Sequence, residues 1–171
     1  MRRLPVCCFS LAAVFVSTPL FAQAGASDTG LSAAALLGFA TDDLNLGLGA
    51  RVGYTLPAMP FYVGGTFVYH LGTSESTPVG DVSAHLYYFG AEGGYSISAG
   101  PVIIRPYLGL GAATATASLP GGSASDTKFA AWPGGALLFP LGSAFVGGDV
   151  RFLLVSNSNA FGAFATGGLH F

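Results

Sequence analysis

Ser83 and His85 stand two residues apart, and Glu75 lies shortly before them. A hydroxyl, an imidazole and a carboxylate are the parts of an activated nucleophile, in which the base takes the hydroxyl proton and the acid orients the base. His70 and His85 bracket the same stretch. Brought together across a hairpin they would supply two ligands of a zinc site, but no third ligand accompanies them, so both are expected as rim residues and no metal is expected. Five more ionisable residues, Arg51, Glu92, Arg105, Asp149 and Arg151, stand among apolar and small residues. An ionised group there needs a scaffold that turns it away from hydrocarbon and gives it a partner.

Composition restricts that scaffold. Of 171 residues, 51% are hydrophobic and only 8% charged, which excludes a disordered chain and fits poorly with a soluble domain, where about a quarter would be charged. Lys+Arg 6 against Asp+Glu 8 gives no basic surface, so nucleic acid is not an expected partner. A mean hydropathy of +0.61 points to lipid.

The first segment reads as a secretory signal: Met1-Arg2-Arg3 is basic, Leu4 to Phe21 is apolar, and Ala22-Gln23-Ala24 is a small-x-small cleavage triplet. The expected division is a signal peptide over 1–24, a short tail over 25–30 and one domain over 31–171. Cleavage would remove Cys7 and Cys8, the only cysteines, leaving no thiol or disulfide. It would also leave Arg51, Arg105, Lys128 and Arg151 against eight acidic residues, a charge of about −4.

Phe129 to Gly148 carries no charge before Asp149, yet Pro133, Pro140 and five glycines oppose a membrane helix there. Alternation in twos fits instead. In Leu44 to Leu56, Leu44, Leu46, Leu48, Val52 and Tyr54 share one face, while Asn45, Arg51 and Thr55 share the other. Phe61 to Gly72, His85 to Ile97, Val102 to Thr116 and Ala144 to Val155 repeat the pattern. Phe129 to Phe139 is a strand of undecided parity, Phe161 to Phe171 closes the chain, and an Ala-rich first strand runs from about Leu31 to Ala40. These lengths match tilted membrane-crossing strands of about 9–11 residues. The expected fold is all-β: an eight-stranded antiparallel up-and-down transmembrane β-barrel.

Connections alternate between short turns (Pro57 to Pro60, Ser98 to Pro101, Pro140 to Ser143) and an opposite set. That set comprises loops expected at Thr73 to Ala84 and Ala117 to Lys128, with briefer members at Thr41 to Asp43 and Ser156 to Ala160. Both termini fall on the short-turn side, which is expected to face the periplasm. Arg51, Glu92, Arg105, Asp149 and Arg151 all fall on inward faces, as required where Arg or Lys facing lipid at mid-depth costs about 2–4 kcal/mol. Eight strands enclose a lumen that side chains fill, so these five are expected to pair as one network and exclude an open pore. Phe39, Tyr69, Tyr87, Phe152 and Phe161 form one expected aromatic girdle, joined by Trp132; Tyr54, Phe61, Tyr95, Phe139 and Phe171 form the other. Tyr62, Tyr88, Tyr107 and Phe164 are expected to pack across the lumen beside inward glycines.

Arg105-Pro106-Tyr107-Leu108-Gly109-Leu110-Gly111-Ala112 resembles the R-P-Y-x-G-L-G-A segment of small outer-membrane barrels of Gram-negative bacteria, the outer-membrane protein A-type and opacity-type proteins. Val150-Arg151-Phe152 resembles their penultimate strand, and the chain ends, as theirs do, on an aromatic, Phe171. The resemblance implies an outer-membrane location with membrane lipids and lipopolysaccharide as partners. It also implies that the last strand, with Leu169 and Phe171, is read by the assembly machinery. No peptidoglycan-binding domain follows Phe171 in this sequence. Lipid A deacylases on small barrels carry a His-x-Ser order, which Ser83-Ala84-His85 reverses. The expectation is a non-enzymatic structural or surface-interaction protein without cofactor. A narrow channel for small or apolar solutes is the alternative, and a lipid-modifying enzyme ranks below it.

Overall fold

A computed structural model describes residues 29–77, 80–119, 122–156 and 158–171. The expected signal segment over 1–24 and most of the 25–30 tail lie outside the described residues.

Nine strand segments follow in order: β1 (Gly30–Ala40), β2 (Asn45–Thr55), β3 (Phe61–Thr77), β4 (Gly80–Tyr95), β5 (Ile97–Ala99), β6 (Val102–Leu119), β7 (Gly122–Leu141), β8 (Ala144–Val155) and β9 (Ser158–His170). Both β4 and β5 pair with β6, so they are one stave interrupted at Ser96, whose amide turns aside to bond the Pro60 carbonyl. Each stave is antiparallel to its chain neighbours and β1 pairs with β9, which closes an eight-stranded barrel without an edge at its waist.

Residue alternation fixes which face is inside. On β2, Leu48, Val52 and Tyr54 are exposed on the outer wall, whereas Arg51 and Thr55 are buried within. Phe129, Leu137 and Phe139 point outward on β7, and Trp132, Ala136 and Leu138 point inward, which settles the parity that the Pro133-Gly134-Gly135 interruption obscures in the sequence. Both described chain ends lie together, Ser32 pairing with His170, at the end that carries the turns Leu56–Pro60, Gly100–Pro101 and Gly142–Ser143.

The opposite end departs from expectation. The stretches expected as loops, Thr73 to Ala84 and Ala117 to Lys128, are largely strand: Thr73 pairs with Ala84, Thr77 with Gly80, and Leu119 with Gly122. Hydroxyl side chains knit them, Thr114 to Thr127 at 2.9 Å and Thr116 to Ser125 at 3.1 Å, so a Ser/Thr-rich composition that reads as loop supplies cross-strand pairs instead. Pairing of β7 with β8 begins only at Ala130, and pairing of β2 with β3 ends at His70. Beyond the barrel mouth, β3, β4, β6 and β7 therefore continue as a four-stranded extension. Its β3 edge starts with a bulge at Gly72 (φ 64°), where a side chain would strike the Ala84 carbonyl. Asn45 and Thr73 then stitch the β1–β2 turn to that edge through the Asp43 and Gly72 carbonyls.

Candidate functional site

Arg51 on β2, Glu92 on β4 and Asp149 and Arg151 on β8 meet across the lumen. Arg51 Nε lies 2.7 Å from Glu92 Oε2, and Arg51 Nη2 lies 2.9 Å from Asp149 Oδ2. Arg151 donates from Nε to Asp149 Oδ1 at 2.8 Å, with its Nη2 2.7 Å from the same oxygen and its Nη1 3.8 Å from Glu92 Oε1. All four residues are buried. Removing charges from water costs several kcal/mol per ion, and only alternating signs at contact distance with further hydrogen bonds offset it. Those further bonds are present: Tyr107 Oη donates to Asp149 at 2.8 Å, Trp132 Nε1 donates to Glu92 Oε1 at 2.9 Å, and Arg151 donates to Tyr88 Oη at 3.3 Å. The Arg51 guanidinium also lies over the Tyr107 ring at 4.7 Å.

Arg105 sits nearer the turn end. It donates from Nε to Ser96 Oγ at 3.0 Å and lies over the Tyr62 ring at 4.1 Å. This arrangement can fix strand register and fill the lumen, because its partners come from several staves: Arg51 from β2, Glu92 from β4, Arg105 and Tyr107 from β6, Trp132 from β7, and Asp149 and Arg151 from β8. No step of a reaction follows from it.

Two sequence expectations are corrected. Trp132 does not join an aromatic girdle: it is fully buried inside, opposite Gly109 in the β6–β7 ladder, where a Cβ would fall on its indole. The signal that locates it is that inward glycine, which makes room for the ring. His70 is not a rim residue but a buried one, stacked on Tyr88 and edge-on to Phe164, with ring centroids 6.0 Å away in each case. It does not meet His85 either. His70 pairs with Leu86, so His85, one residue earlier, takes the other face and stacks on outward Tyr69 at 5.6 Å. Ser83 and His85 are alternate residues of β4; the Glu75 side chain lies outside the described residues.

At the other end of the lumen a cavity of about 600 Å³ opens between the β1–β2 turn and the inner face of the extension. Leu44, Val82, Leu86, Ala115 and Ala117 line it, with Asp126 across the ladder from Ala115 and with Asp42 and Asp43 on the β1–β2 turn. A pocket of about 120 Å³ continues from it toward Leu153 and Ala160.

No family model matches the sequence, and no curated relative does. Solved structures do match. Neisserial surface protein A is 15% identical, with 82% of this chain covering 96% of that one at a TM-score of 0.65. Ail, the attachment invasion locus protein of Yersinia pestis, is 18% identical over 84% of this chain and 99% of its own, at a TM-score of 0.60. The N-terminal β-barrel domain of Pseudomonas aeruginosa OprF is 14% identical over 84% and 98%, at 0.59. At such identities the likeness is one of fold, and the fold is the eight-stranded barrel of small outer-membrane proteins.

Proposed function

We propose that this chain is an integral outer-membrane protein with a structural and surface-interaction role, exported by residues 1–24 and held in the membrane by a barrel whose lumen is plugged. The observation that carries the reading is a change in the wall at the level of Phe129. Toward the turn end from it, outward residues are large and apolar, such as Leu108, Leu110 and Phe152, while the interior is charged and aromatic. Beyond it, the outward residues of β6 and β7 become Thr116, Ser125 and Thr127, with the buried Thr114 hydroxyl bonded to that of Thr127. Hydrocarbon suits the first surface and water the second.

Side chains fill the waist in support of a plug: Trp132, Tyr62, Tyr88, His70, Asp149 and Arg151 are each under 2% exposed. The extension supports a surface role, since β3 beyond Thr73 and β7 before Ala130 each have a neighbour on one side only. Open edges of this kind offer unpaired backbone groups to a partner strand. In the folds it resembles, the surface protein of Neisseria and the attachment protein of Yersinia pestis bear names of surface proteins. Lipids and lipopolysaccharide are then its surroundings, and catalysis plays no part in this reading.

Two measurements test it. Purified protein in planar bilayers is expected to give no single-channel steps, and regular steps would favour the narrow channel. A Ser123→Cys variant is expected to react on intact cells with a membrane-impermeant maleimide; labelling only after the outer membrane is opened would reverse the orientation.

A further inference from the structure

We infer that the outer mouth is a binding site for a small organic cation with an apolar body, a reading that rests on the loop end facing water. Polarity inverts in the extension. Below Phe129 the barrel is apolar outside and charged inside; above it, on β6 and β7, hydroxyls lie outside, while Val82, Ala84, Leu86, Ala113, Ala115 and Ala117 lie inside together with the Asp126–Lys128 pair. This inner face is turned away from lipid, and the β1–β2 turn stands across a cavity from it instead of covering it. Apolar surface held open in this way loses free energy in water that a ligand recovers. The volume of about 600 Å³ falls within the range of about 300–1,000 Å³ typical of pockets for small molecules.

Charge chooses the class of occupant. Asp42, Asp43 and Asp126 line the cavity. Lys128 pairs with Asp126 at 3.1 Å, and Asp42 and Asp43 stand without a cationic partner among the described residues. His85 also lines the cavity, with its ring against Tyr69. Asp42 and Asp43 are held side by side in left-handed backbone (φ 56° and 61°), and the Asp43 carbonyl is tied to Asn45 and Thr73. Asp42 and Asp43 therefore make the outer lip anionic and anchored; beneath it the inner wall is aliphatic apart from the Asp126–Lys128 pair, which is neutral as a unit. An anion would meet repulsion there, and a hydrophilic cation would gain nothing from the walls.

The test uses folded protein in nanodiscs of zwitterionic lipid, with 4-phenylbutyltrimethylammonium and the corresponding 4-phenylbutanesulfonate as probes in calorimetric titrations. The cation is expected to bind at least about tenfold more tightly than the anion. Asp43→Asn with Asp42→Asn is expected to weaken the cation several-fold and leave the anion equal or better. Ala115→Phe fills the cavity and is expected to abolish binding; Ala117→Phe repeats the test nearer the opening if the first variant fails to fold. Equal affinity for both probes, or binding untouched by either phenylalanine, would overturn the inference. Because the titration does not depend on orientation in a cell, it can fail while Ser123→Cys is labelled, or succeed while that labelling fails.

Discussion

The Trp132 indole donates a 2.9 Å hydrogen bond to Glu92, and it can do so only because Gly109, its partner across the β6–β7 ladder, has no side chain. A ring, a buried carboxylate and a missing Cβ thus form one unit. The ring also lies 5.2 Å from Tyr88, so it cannot move aside without repacking the network.

Gly109→Ala should therefore be costly. Overpacking costs about 1–3 kcal/mol, and losing a hydrogen bond to a charged group adds about 1.5–3 kcal/mol. Trp132 is the only tryptophan, so its emission should shift as it is displaced, alongside a lower urea midpoint. Gly93→Ala is the control: a Cβ there meets nothing within 4 Å, and the variant should match the parent. Unchanged emission in Gly109→Ala would remove the indole from this position.

Glu92 joins three donors from three other staves, Arg51, Trp132 and Arg151. Glu92→Ala should lower stability by about 3–5 kcal/mol, because it leaves buried guanidinium groups short of negative charge. Glu92→Ala with Arg51→Ala should cost less than the two separately, by about 0.5–3 kcal/mol. Equilibrium unfolding of refolded protein in detergent provides all three values, and strict additivity would count against direct coupling of the pair.

Much of this arrangement is legible in the sequence, for a definable reason. Period-two alternation with lipid outside forces each charge inward, and the inward faces of Arg51 and Arg151 follow from apolar neighbours alone, such as Leu48, Val52 and Phe152. Trp132 escapes that logic because Pro133, Gly134 and Gly135 erase the alternation beside it. The extension escapes it because small residues such as Ala115 and Thr116 differ too little in polarity to mark a strand, and Ser and Thr there imitate loop composition. The position of His70 follows from its inward parity, but whether it lies at the rim or under it depends on how far β3 and β4 continue, which composition does not specify.

The upper limit of the apolar belt can be measured with one substitution made at two depths. Val150 points outward midway along the belt, paired with Gly135, and Val150→Arg should cost about 2–4 kcal/mol in lipid. Thr116 lies on the hydroxyl face above Phe129, and Thr116→Arg should change stability by less than about 0.5 kcal/mol. Both are read as unfolding midpoints in liposomes. Equal penalties would mean that the extension is embedded in lipid and that the belt is drawn too short.

Closure of the barrel brings the chain terminus into the seam, where the Phe171 amide donates to the Leu31 carbonyl at 2.8 Å. The side chain contributes little to packing there, being 72% exposed, and Leu169 is 49% exposed on the same outer face. Large apolar side chains exposed at the turn end contribute to the lipid belt, and a recognition role by the assembly machinery would give them a further use. Deleting Phe171 removes one seam hydrogen bond, worth about 0.5–1.5 kcal/mol, so the truncated protein should still refold in detergent and match the parent protein in gel mobility both unheated and boiled. In cells the same protein should accumulate unfolded in the periplasm, as should Leu169→Asp. Failure to refold in detergent would reduce the terminus to a structural role, and normal insertion of both variants in cells would show that assembly does not read it.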